Sequence, residues 1–106
     1  MASTKESPTS PAEALGWART AAANGRHIID DHYNKRCRQR RISPNAWRRV
    51  LATATRVLPY EPERGSLAGG TSWRIFGEDF EGEETAIGVE TFVDHTGERV
   101  LIITVF

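Results

Sequence analysis

Only one cysteine, Cys37, stands in the chain, so no internal disulfide can staple the fold. A lone thiol suits a reducing compartment, and a cytoplasmic protein is expected. His27, His32 and His95 show no metal-ligand spacing, so neither a metal nor another cofactor is expected. No apolar run approaches the ~18 residues that a membrane span needs, so no membrane partner is expected. Met1 to Thr9 is rich in Ser, Thr and Pro and lacks an apolar stretch, so it does not read as a secretory signal. Net charge is lacking as well, at +0, which excludes a uniformly basic nucleic-acid binder but leaves room for a basic face.

The zero conceals a split. Residues 1–60 carry 11 basic and 4 acidic side chains, whereas residues 61–106 carry 3 and 10. Two readings are open. A basic half docks on an acidic half of the same chain, or a basic face is free for an anionic partner. With 106 residues the chain supports one domain. Residues 1–9 read as a disordered tail and 10–106 as a single α+β domain.

Helix signals come first along the chain. Ser10 caps, Pro11 takes the first helical position and Glu13 completes a capping box. Ala14, Leu15, Ala18, Ala21 and Ala22 supply an apolar stripe, and Asn24-Gly25 ends it. A second helix is expected from Arg26 to Arg40. Ile29, Tyr33 and Cys37 form one row, and Ile28, His32, Arg36 and Arg40 the next, about 100° round the axis. After Ser43-Pro44, the spacing of Ala46, Trp47, Val50, Leu51, Ala54, Val57 and Leu58 predicts a third, strongly amphipathic helix with Trp47 in the core. Pro59 to Gly70 reads as a loop. Its glycines lack the Lys-Ser/Thr pair and following helix of a phosphate loop, so they read as turn residues. Strands are expected over Thr71–Phe80, Ala86–Val93 and Arg99–Phe106, joined by short turns. The expected architecture is two to three N-terminal helices on a three- to four-stranded antiparallel meander.

The strongest functional signal is basic. Seven Arg and Lys residues fall between Lys35 and Arg49 with no acid among them, and His32 precedes them by about a helical turn. Guanidinium groups suit phosphate oxygens, and an imidazole moves a proton near neutral pH. His32, Arg36 and Arg40 share one row, with Lys35 and Arg41 nearby as further phosphate contacts. Tyr33 is a candidate base-stacking ring, although its row points to burial. The structural alternative ties Arg36 and Arg40 to carboxylates such as Glu78 or Glu90. His95 reads as a turn residue and His27 as solvated.

His32-x3-Arg36-x3-Arg40-x-Ile42-Ser43, with the closing Ile103-Thr104-Val105-Phe106, resembles a small bacterial family catalogued as domain of unknown function 4258. The resemblance spans about residues 28–106. That family resembles, in fold, the RelE/ParE-like and barnase/EndoU-like toxins. It implies a metal-independent ribonuclease of a toxin–antitoxin system, with RNA as substrate and an antidote protein as partner. His32 is then the base or acid, Arg36 and Arg40 clamp the phosphate, and Thr104 orients a phosphate oxygen from the last strand. No second proton-transfer group is evident in the sequence. The acidic Glu78–Glu84 segment is unlike an RNA-facing surface. The alternatives are an RNA- or phosphate-binding module without chemistry, and a protein-interaction domain.

Overall fold

The computed structural model describes residues 8–63 and 65–106. Most of the expected tail, residues 1–7, lies outside the described residues, but Pro8 is buried and its carbonyl accepts from Thr71 Oγ1 at 3.1 Å. The architecture is α+β: α1 Pro11–Ala23, β1 His27–Ile29, α2 Asp31–Arg40, α3 Ala46–Thr53, β2 Arg56–Pro59, β3 Thr71–Glu78, β4 Glu84–Asp94 and β5 Gly97–Val105. The sheet has five strands in the order β1-β5-β4-β3-β2. It is mixed rather than antiparallel, because β1 runs parallel to β5 with His27 opposite Val100. Among the described residues, no helix is long and apolar enough to cross a membrane.

α1 forms as its signals require. Ser10 Oγ accepts from Glu13 N at 3.3 Å, and Ala14, Ala18 and Ala21 are buried together with Trp17. The helix expected from Arg26 begins only at Asp31. Ile28 and Ile29 are β-branched and extend along β5, and Asp30 starts the helix by accepting from His32 N at 3.1 Å. α3 buries Ala46, Trp47, Val50 and Leu51, then stops at Thr53. Val57 and Leu58, expected to continue it, pair instead with Ile75 and Arg74 of β3. Pro59 can end this strand because β2 is a sheet edge, where a missing N–H breaks no ladder.

The helices cover one face of the sheet. Trp73, Ile75, Ile87, Val89, Val100, Ile102 and Val105 meet the buried residues of α1, α2 and α3 in a single core. Phe92, Leu101 and Ile103 form a smaller cluster on the opposite face. Glu90, in register with Leu101, is fully buried there. Its carboxylate accepts from Leu67 N at 2.7 Å, Gly70 N at 2.8 Å, Ala68 N at 2.9 Å and Ser66 Oγ at 3.0 Å. Converging backbone N–H groups make an anion nest, and here the protein's own carboxylate fills it. Gly70 is required by close approach: a Cβ there would lie 2.0 Å from Thr91 O. The loop after Tyr60 is thereby drawn over the outer face.

Tyr33 links two helices. It is fully buried, and its hydroxyl accepts from Trp47 N at 3.1 Å, a first-turn donor of α3 without an intrahelical partner. Tyr33→Phe leaves that buried N–H without its acceptor and is expected to cost about 1–3 kcal/mol. Urea unfolding measures the loss, and an unchanged midpoint would contradict this role.

His27 is not solvated as expected. Its ring packs on Trp47 at a centroid distance of 4.7 Å, and Arg48 Nη2 lies 3.3 Å from Nε2. Burial lowers its pKa from 6.5, and the nearby charges of Arg48 and Arg99 lower it further. The unfolded chain then binds the proton more readily than the native state. Stability is therefore complete above about pH 6.5 and falls as the pH drops below that value. His27→Gln is expected to flatten the dependence of the unfolding midpoint between about pH 5 and 7; an identical slope in the variant would contradict it.

Candidate active site

An open cleft of about 710 Å³ lies where the first turns of α2 meet the end of β5. Burial of Tyr33 and Cys37 sets the roll of α2 and leaves the neighbouring row at the rim. His32 and Arg36, one turn apart on that row, both line the cleft. His32 is exposed and Arg36 half-buried. Arg36 Nε donates to the Val105 carbonyl at 3.4 Å, which holds the guanidinium against the end of β5.

A β-bulge shapes the floor. Val89 pairs with Ile102 and Gly88 with Thr104, so Ile103 is the extra residue of β5. A bulge re-aims side chains locally, and the consecutive Ile103 and Thr104 both line the cleft. Thr104 is nearly buried, and its hydroxyl donates to Val105 O at 3.3 Å.

The opposite wall is the start of the long loop. Glu61 and Glu63 bring two carboxylates to the cleft, and Tyr60, Arg74 and Phe106 complete it. Arg74 lies on the outer sheet face with its guanidinium 3.9 Å from the Phe106 ring centroid and 5.6 Å from that of Tyr60. Sequence reading missed all five. The signal available was local: Tyr60-Glu61-Pro62-Glu63 opens a long loop, and such loops carry chemistry more often than the elements they join. Glu61 and Glu63 add two carboxylates to a lining whose other charged groups are His32, Arg36 and Arg74.

The other expected site residues do not converge there. Arg40 is exposed and absent from the cleft lining, one turn further along α2. Lys35 is exposed on another side of the helix. Tyr33 is sealed in the core, its hydroxyl engaged with Trp47 N and its pKa raised by burial, so it offers no ring to a base. Arg41 is the left-handed C-cap of α2 and lines a small hollow with Asp79 and Glu81. The acidic turn thus faces the C-terminal end of α2 and not the His32 cleft. Glu90, the structural alternative's partner for Arg36, is occupied by the loop amides. Among the described residues, no group of three or more His, Cys, Asp and Glu is placed to hold a metal ion.

No family model matches the chain. No curated protein matches it. No solved structure matches it either.

Proposed function

We propose that this cleft is the active site of a toxin-like ribonuclease that cuts RNA without a metal ion and is restrained by an antidote protein. The observation that carries the reading is the lining itself: an imidazole, two guanidinium groups and two carboxylates around one open space. The resemblance of the His32/Arg36/Arg40 row and the last strand to the domain of unknown function 4258 family, itself like the toxins in fold, adds to it. RNA cleavage through the 2′-hydroxyl needs a base, an acid and cations around the phosphorane. A carboxylate of Glu61 or Glu63 takes the 2′-hydroxyl proton. The 2′-oxygen attacks phosphorus, the bond to the 5′-oxygen breaks, and His32 protonates that leaving oxygen. The products are a 2′,3′-cyclic phosphate and a free 5′-hydroxyl. Arg36 stabilises the extra charge on the phosphorane, with Thr104 beneath.

Expression without an antidote is expected to arrest bacterial growth and degrade RNA, also in extracts treated with EDTA, and His32→Ala is expected to relieve the arrest. Normal growth with intact RNA would remove the proposal. RNA binding without cleavage is the second reading, favoured by the layering of Arg74 on Phe106, an arrangement suited to holding a ligand. It predicts intact RNA and an affinity that falls steeply with salt.

A further inference from the structure

We propose that Tyr60, Arg74 and Phe106 form a nucleobase subsite, so that the cleft takes an unpaired nucleotide of single-stranded RNA. This deepens the reading of the cleft as an RNA site and rests on it. The two rings come from distant parts of the chain and meet edge to face, with centroids 5.1 Å apart and planes at 89°. Arg74 lies over both, and all three side chains are half-buried and line the cleft beside His32 and Arg36.

The arrangement is built into the sheet. Tyr60 N donates to Ser72 O at 3.0 Å and Phe106 N to Ala86 O at 2.9 Å, so both ring-bearing residues are pinned by their backbones. Gly88 lies beneath them. A Cβ there would stand 3.0 Å from Tyr60 Cε2 and 3.4 Å from Phe106 Cε2. A glycine inside a strand weakens the strand and often marks a close approach; here it lets two rings settle on the sheet next to the phosphate-binding groups. Arg56 is layered on Phe76 in the same way away from the cleft, but Arg74, Phe106 and Tyr60 share the lining of one cavity with His32 and Arg36. Guanidinium and aromatic planes stack on any base face, so the subsite is tolerant of sequence. A base already stacked within a duplex cannot reach it, which sets the substrate class.

Calorimetric titration of the full chain tests the proposal with adenosine 3′-monophosphate, uridine 3′-monophosphate, ribose 5-phosphate and inorganic phosphate. Both nucleotides are expected to bind more tightly than the two base-free probes. Phe106→Leu and Tyr60→Ala are each expected to weaken nucleotide binding roughly 5- to 150-fold while leaving phosphate binding nearly unchanged. Gly88→Ala, which removes no contact group, is expected to do the same by displacing the rings. Thermal melting verifies that each variant is folded. Equal binding of nucleotides and base-free phosphates, or variants that bind nucleotides as the parent does, would overturn the subsite. Its failure is distinguishable from failure of the cleavage reading. Base-dependent nucleotide binding by a protein that leaves RNA intact supports the subsite and removes the ribonuclease. RNA cleavage unaffected by the ring variants does the reverse.

Discussion

Replacing Glu90 by alanine is expected to lower stability by about 3 kcal/mol and to release the loop that walls the cleft. Glu90 is fully buried and accepts from three backbone amides and one hydroxyl. Hydrogen bonds to a charged group contribute about 1.5–3 kcal/mol each, but the loop amides regain water when the loop lifts, so the sum is not reached. For a domain of this size the loss is a fall in melting temperature of roughly 12–24 °C. Glu90→Gln separates charge from shape. Its amide keeps one acceptor oxygen and turns an NH2 toward donors, so it is expected to retain little of the nest. Hydrogen exchange at Leu67, Ala68 and Gly70 provides the local readout. Those amides are expected to become fast in both variants, and unchanged protection would contradict the anchoring role. Because Glu61 and Glu63 precede this anchored segment, RNA cleavage is expected to fall with it.

The second large effect concerns the helix. His32→Ala is expected to reduce RNA cleavage about 10²- to 10⁴-fold, the usual contribution of a positioned general acid or base. Arg36→Ala is expected to cost a similar factor by removing charge from the phosphorane. His32 is exposed, so its replacement is expected to leave stability within about 0.5 kcal/mol. Arg38→Ala and Arg40→Ala are informative because both residues are exposed on the same helix and away from the cleft. Single-turnover cleavage rates for these variants are expected to stay close to the parent's. A loss at Arg40 equal to that at Arg36 would show that basic charge along the whole helix matters more than the cleft.

Local signals were legible in the sequence because their causes are local. Ser10-Pro11 starts α1 and the Trp47–Leu51 stripe sets α3, since a cap or an amphipathic face is complete within a few residues. The two edge strands were not legible. His27–Ile29 is too short to show a period, and Ile29, Tyr33 and Cys37 mimic a continuous helical row across Asp30. Val57 and Leu58 extend the stripe of α3 in spacing, yet a long-range pairing with β3 claims them. The same division holds for the site. His32 and Arg36 lie on one helix face and could be paired by counting. Glu61, Glu63, Arg74 and Phe106 reach the cleft only through the loop anchor, sheet register and bulge, none of which a linear pattern reveals. The charge split also resolves only in space. Part of the acidic half, Asp79 and Glu81, faces Arg41, and another part, Glu61 and Glu63, faces the cleft cations.

The central claim is that His32, Arg36 and the loop carboxylates act together on one phosphodiester. The most direct measurement uses a short single-stranded RNA and a copy carrying a single 2′-deoxy substitution at the cleaved position, both in EDTA, with products identified by mass spectrometry. The parent protein is expected to yield a 2′,3′-cyclic phosphate and a 5′-hydroxyl from the RNA and nothing at the deoxy position, and His32→Ala to yield almost neither product. Cleavage of the deoxy copy at the same position, or equal cleavage by His32→Ala, would contradict the account.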